Sequence, residues 1–237
     1  MSQYPKLVTA SENSVIIYFS EQPSATTSNK IAYVVETLKN QLSNQLIDLV
    51  PCYASLLVIY NSTTSNYQRI EAQIHSAIDS WQPSPDKQTA RQIELPVYYS
   101  IESGPDLERV ADHNGLSIEQ VIATHQQTQY TAYALGFAPG FAYLGELDST
   151  IATPRLATPR YRVPAGAVAI ADRQTAIYPA PSPGGWNLIG LCPTPLFNID
   201  RQPSSVIQVG DSLSFKAISR EQFLELGGCE SDLGAQP

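Results

Sequence analysis

Positive charge is scarce in this 237-residue chain: 14 Lys and Arg stand against 22 Asp and Glu, a formal net charge of −8. That deficit excludes general nucleic-acid binding, which needs a basic face to displace condensed counterions. Cysteine is equally sparse. Cys52, Cys192 and Cys229 are scattered with no CxxC pair, which excludes a disulfide framework and a thiolate zinc site. The longest apolar run, Tyr53–Tyr60, falls far short of the roughly 20 residues that cross a bilayer. The opening MSQYPKLVTA has no apolar segment of the secretory kind, so a reduced cytoplasm is the expected compartment. Neither GxGxxG nor a Gly-Lys-Ser/Thr phosphate loop occurs, which excludes a stand-alone Walker-type ATP site. His75 and His113 fall on expected helices without metal-ligand spacing, so no metal site is expected. No Ser-His-Asp or Cys-His nucleophile set is legible, Cys192 between Leu191 and Pro193 being the one weak exception.

What the chain does contain is 43% apolar and 15% charged residues, enough for sizeable cores in two domains. Lys6–Ala10 and Ser14–Phe19 read as a hairpin. Ser24 or Thr27 caps a helix to about Leu46, with Ile31, Val34, Val35, Leu38 and Leu42 on one stripe. Two further strand runs lie within 46–61, the second (Ser55–Tyr60) buried, and a helix over Ser65–Trp81 carries Ile70, Ile74, Ala77 and Ile78. That order predicts a small α/β domain over 1–88, an antiparallel sheet backed by two helices. WQPSPDKQ at 81–88 is the expected linker. In the second domain, 89–237, a strand at Ile93–Tyr99 with Pro96 implies an edge. Two short helices follow, the first opening near Pro105 with Asp106 at its positive end. Gly115 separates them, and a Ser117/Gln120 capping box opens the second. From Tyr130 short strands and turns argue for a barrel or sandwich, closed by a weak helix at Arg220–Leu226. The helix pair is too acidic for a DNA-reading helix-turn-helix (Asp106, Glu108, Asp112 and Glu119 against Arg109).

The segment from Tyr133 to Phe197 is unlike the rest: Pro, Gly and aromatic residues recur every few positions, describing a rigid and convoluted surface suited to binding. Residues 155–173 hold four arginines against Asp172 alone. Arg155 and Arg160 each follow a proline in a repeated Thr-Pro-Arg unit, so stiff backbone aims both guanidinium forks at a carboxylate or phosphate. In SPGGW, Gly184 and Gly185 permit close approach to a ligand or a positive φ, and deliver Trp186. Phe137 joins this aromatic set as a binding candidate. His125, at a helix end, is a candidate proton carrier, with helix capping or packing as the structural alternative. Glu102, and Gln174 with Thr175, are candidate polar contacts.

The blocks ESGPDL (102–107), LGFAPGFAYLG (135–145), PR-x(3)-PR (154–160), VPAG-x-VAIA (163–171), QT-x-IYP (174–179) and SPGGW-x-LIG (182–190) resemble the family of the 5-oxoprolinase B subunit, PxpB. That family is also described as allophanate hydrolase subunit 1 and includes KipI-type inhibitors of a sporulation sensor kinase. The resemblance implies an α+β protein, a small α/β domain followed by a cyclophilin-like β-barrel. It implies one member, inactive alone, of an ATP-dependent 5-oxoprolinase that opens 5-oxo-L-proline to L-glutamate. Its partners would be an A subunit and a C subunit, the latter of related barrel fold. ATP with Mg2+ would be the co-substrate, none bound tightly by this chain. On it, Arg155 and Arg160 would bind the carboxylate or stabilise the transferred phosphoryl, His125 would handle the proton, and Gln174 and Trp186 would position the substrate. The alternatives are a KipI-like regulator docking on a histidine kinase, or part of a urea- or allophanate-related amide hydrolase. Three positions depart from the family pattern: Leu191-Cys192 for Arg-Thr, Ala176 for glycine, and Ser100-Ile101 for Gly-Gly.

Overall fold

Alternating side chains build the first sheet. In β1 (Lys6–Ser11) and β2 (Ser14–Tyr18), a hairpin, Val15 and Ile17 point inward and are fully buried, whereas Tyr18 is exposed. A second hairpin, β3 (Leu46–Cys52) and β4 (Ser55–Tyr60), adds Leu56, Val58 and Tyr60 to the same core. The sheet runs β1-β2-β4-β3, antiparallel throughout. Two helices pack on it. In α1 (Ala25–Leu42) Ser24 accepts from the Thr27 amide, and Ile31, Val34, Leu38 and Leu42 form the buried stripe. In α2 (Tyr67–Asp79) Asn66 caps through the Arg69 amide, and Ile70, Ile74, Ala77 and Ile78 face inward. The computed structural model describes residues 4–83 and 91–233, and the chain divides into compact units Met1–Thr89 and Ala90–Pro237. The expected linker at 81–88 lies outside the described residues from position 84 onward.

The second unit opens with β5 (Gln92–Val97), which pairs in parallel with the late strand β13 (Ser212–Ala217). Next come α3 (Leu107–Asn114), ended by Gly115 at φ 65, and α4 (Ile118–Gln127), opened by the Ser117/Gln120 capping box. The strands β6 (Tyr130–Leu135), β7 (Ala142–Gly145), β9 (Ala167–Ala171), β10 (Gln174–Ile177) and β12 (Asn187–Leu191) form an antiparallel path in the order β6-β7-β10-β9-β12. A separate two-stranded ribbon pairs β8 (Arg160–Val163) with β11 (Ser182–Gly184). Helix α5 (Arg220–Glu225) follows β13, opened by a Ser219/Gln222 capping box.

These ladders do not close into the barrel that the resemblance implied. β13 joins β6 at one end of the path, while between β5 and β12 only a single antiparallel bridge forms, Tyr98 with Leu191. Strand β9 divides two cores by its period of two: Val168 and Ile170 face the larger one with Leu144, Ile177 and Ile189. Ala167, Ala169 and Ala171 face the other, where small side chains leave room for Phe141, Tyr178 and Trp186. Among the described residues no helix is long and apolar enough to cross a membrane.

Candidate functional site

A segment without regular structure, 152–159, carries the first arginine, and both of its sides are tied down. Asn187, fully buried on β12, donates through Nδ2 to the Pro154 carbonyl at 3.0 Å and the Ile170 carbonyl at 3.1 Å. Its Oδ1 accepts from Arg109 at 3.0 Å. On the other side the Leu156 amide donates to the Gly185 carbonyl at 2.7 Å. Arg155 sits between these anchors. Its guanidinium carbon lies 5.6 Å from the centroid of the Trp186 ring, a cation–π arrangement. Arg155 is exposed and has no carboxylate partner among the described residues.

Arg160 is held quite differently. Opposite Gly184 in the ribbon, it donates from Nη2 to Asp106 at 2.7 Å and from Nη1 to the Trp186 carbonyl at 3.4 Å. Both partners of this ion pair are buried, with side chains 9% and 7% exposed. The second Asp106 oxygen accepts from the Leu188 amide at 2.6 Å. Asp106 stands at the N-cap of α3 yet makes no side-chain cap bond, because its carboxylate is consumed by the pair. The two arginines therefore differ in kind: one is an open cation, the other half of an internal cross-link.

An aromatic array lies beside them. Phe141 meets Tyr178 at 5.4 Å, Tyr143 at 4.9 Å and Trp186 at 6.0 Å between centroids. Phe137 continues the array outward, 5.2 Å from Phe141 and 6.3 Å from Tyr178. The residue is 64% exposed and its backbone takes φ 74. A non-glycine residue held there costs about 1–3 kcal/mol, a kind of strain that gathers at binding sites. The Gly136 amide bonding to Phe141 and the Phe141 amide bonding to Ala138 hold the turn. Burial raises the Tyr178 phenol, and the nearby Arg155 charge opposes that shift.

Of the glycine pair, only Gly184 is required by close packing: a Cβ there would overlap the Tyr178 hydroxyl and fall 2.9 Å from its Cζ. At Gly185 a Cβ would meet ordinary contacts of 3.6 Å and beyond, and neither glycine takes a positive φ.

Three sequence candidates lie elsewhere. His125 is fully buried: Nδ1 is 2.7 Å from the Tyr99 hydroxyl and Nε2 is 2.9 Å from Thr175 Oγ1. Thr175 donates onward to the Ala169 carbonyl at 3.1 Å, so Nε2 is the protonated nitrogen and Nδ1 accepts from Tyr99. Burial pushes the imidazole down to about 3. Both are fully buried, so His125 has no open route for the proton handling expected of it and Thr175 no exposed face for the ligand contact expected of it; each packs in the interior instead. Glu102 accepts from the Tyr98 hydroxyl at 2.7 Å and pairs with Arg220 at 3.3 Å, tying its turn to α5. Gln174, half-buried, begins β10 opposite Ala171. Arg173, from the arginine-rich run, pairs with Glu146. Phe137, Arg155, Arg160, Gly184, Gly185 and Trp186 thus come together; His125, Thr175 and Glu102 do not join them. Sequence reading missed Asn187, Tyr178 and Phe141 as site-builders and gave Asp106 only a helix-start role; buried polar anchors carry no local signal. At the positions that depart from the family pattern, Leu191 and Ala176 are both buried among Phe141, Tyr178 and Trp186.

Residues 5–207 match the family model for the carboxyltransferase domain, subdomain C and D. The 5-oxoprolinase B subunit of Bacillus subtilis (strain 168) is 35% identical over 222 residues, covering 90% of this chain and 92% of that protein. The chain belongs to the family of 5-oxoprolinase B subunits. Its Escherichia coli O157:H7 relative of the same name is 39% identical over 180 residues, 74% of this chain and 82% of that protein. Among solved structures, TTHA0988 superposes with TM-score 0.76 at 35% identity; the match covers 87% of this chain and 40% of that one. The Kluyveromyces lactis urea carboxylase shares the fold alone, at TM-score 0.73 and 13% identity over 96% of this chain and 23% of its own.

Proposed function

We propose that this chain is the B subunit of an ATP-dependent 5-oxoprolinase, working with an A subunit and a C subunit to open 5-oxo-L-proline to L-glutamate. The observation that carries this reading is the match along 92% of the Bacillus subtilis 5-oxoprolinase B subunit. A lactam is a poor electrophile. Transfer of the ATP γ-phosphoryl to the lactam oxygen releases ADP and activates the ring carbon. Water adds there, the C–N bond breaks with the proton passing to nitrogen, and a second water hydrolyses the resulting acyl phosphate to L-glutamate and phosphate. This chain has no phosphate loop of its own, so the site for ATP and Mg2+ is assigned to the assembled complex, in the cytoplasm. Arg155, backed by Trp186, supplies positive charge for the substrate carboxylate or for the transferred phosphoryl. Arg160 holds the ribbon beside it, and Gln174 lies on the neighbouring sheet as a further candidate contact. We read the second unit as an open version of the family's cyclophilin-like barrel, β5 and β12 meeting only at the Tyr98–Leu191 bridge.

The exposed Phe197 and Ile199 favour a protein-contact surface as well. Within the complex that surface serves the C subunit, and in the regulatory alternative it would meet a kinase. Purified chain mixed with the A and C subunits should consume 5-oxoproline only when ATP is present, and the chain alone should not. ATP-independent consumption, or none with all three proteins present, overturns the reading.

A further inference from the structure

We propose, resting on the 5-oxoprolinase reading, that Arg155 alone and not an Arg155–Arg160 pair takes the carboxylate of the small cyclic amide, with the Phe137 ring as the apolar edge of the same subsite. Arg160 is unsuited to the task. Its Nη2 is already bound to Asp106, which also holds the Leu188 amide; the side chain is only 9% exposed, and its unpartnered nitrogen, Nε, is buried out of reach of solvent. Breaking such a buried pair leaves an uncompensated charge. Arg155 has the opposite properties. It is exposed and lacks a carboxylate partner among the described residues, and it lies over the Trp186 indole. The bonds from Asn187 to Pro154 and from Leu156 to Gly185 fix the backbone on either side of it. A cation carried on a fixed segment and supported from behind loses little entropy when it binds an anion.

Apolar surface lies on the same array. Phe137 lies 5.2 Å from Phe141, whose ring is 6.0 Å from the Trp186 indole that Arg155 covers at 5.6 Å. Phe137 stays largely in solvent on a left-handed backbone, a strained placement of the kind that gathers at binding sites and one that leaves apolar surface open to a ligand. An open guanidinium and an exposed ring carried on one aromatic array fit a small molecule bearing one carboxylate on a compact apolar ring.

The test is titration of the full chain. The sequence has two tryptophans, Trp81 and Trp186, so Trp81→Phe leaves Trp186 as the sole indole reporter. 5-Oxo-L-proline is expected to change Trp186 fluorescence saturably, and 2-pyrrolidinone, the same ring without the carboxylate, to bind at least tenfold more weakly. Arg155→Ala should abolish the preference between the two ligands, with Arg155→Lys restoring part of it. Phe137→Ala should weaken both ligands by the same factor and leave the preference intact. Absence of saturation with 5-oxo-L-proline, equal affinities, or a preference that survives Arg155→Ala each overturns the subsite. Turnover by the assembled complex is measured separately. Turnover without the Arg155-dependent preference sinks the subsite and leaves the function standing; the preference without turnover does the reverse.

Discussion

Asp106 shows how much one side chain decides here. Its position beside Pro105 predicts a helix start, and it does stand at the N-cap of α3, yet its carboxylate serves Arg160 and the Leu188 amide instead. Asp106→Ala should therefore cost far more than a lost cap, about 3–5 kcal/mol, because it strands a buried guanidinium. Urea unfolding measures this, and a loss below about 1 kcal/mol, the size of a cap alone, would show that the pair is not buried in solution. Replacing both members, as Asp106→Leu with Arg160→Met, should recover only part of the loss: no buried charge is stranded, but the Leu188 amide still loses its acceptor. The Thr-Pro-Arg repeat gives both arginines a stiff backbone, yet the structure leaves Arg155 exposed and pairs Arg160 with Asp106. Spacing cannot say which arginine has an acid waiting 54 residues away.

Among the elements, the β8–β11 ribbon and the turn at 136–141 shape the site. Gly184 lies opposite Arg160, and the Tyr178 ring fills the space that a side chain at 184 would need. Gly184→Ala should then destabilise by about 1–3 kcal/mol, the range for overpacking. Gly185→Ala, with only ordinary contacts to meet, should stay within about 0.5 kcal/mol of the parent. Thermal melts of the two variants side by side check this; equal losses would mean the Tyr178 contact does not govern the ribbon. The helices were legible because their caps and stripes are local. Ser24, Asn66 and Ser117 each bond to an amide three residues on, and Ile70, Ile74 and Ala77 repeat at helical spacing. The aromatic array was less legible, since Phe141 and Tyr178 belong to different strand regions and meet only across the sheet.

At the scale of the whole molecule, His125 links stability to pH. It joins the end of α4 to Tyr99 and to β10 through Thr175, and its folded pKa of about 3 lies below the unfolded value of 6.5. Between those values the unfolded chain binds the extra proton, so stability is full above about pH 6.5 and declines as pH falls toward 3, by at most on the order of 5 kcal/mol. Urea midpoints measured from about pH 7.5 down to about pH 4 should fall steadily in the parent, and His125→Gln should flatten that slope. A parallel slope in the variant would assign the loss to other groups.

What the sequence by itself determined are the features written within a few residues of each other: helix stripes and caps, the antiparallel hairpins, and the Pro-, Gly- and aromatic-rich blocks that mark the family. Hydrophobic periodicity and capping act over one or two turns, so they are readable in one dimension. What only the tertiary structure decided is which polar groups are spent inside the molecule. Asp106 closes on Arg160, Asn187 pins the backbone ahead of Arg155, and Tyr99 with Thr175 seals His125. These partners lie 26 to 54 residues apart in the chain. A buried polar group takes whichever partner the packed core brings to it, because desolvation penalises an unmet hydrogen bond wherever its partner sits in the sequence.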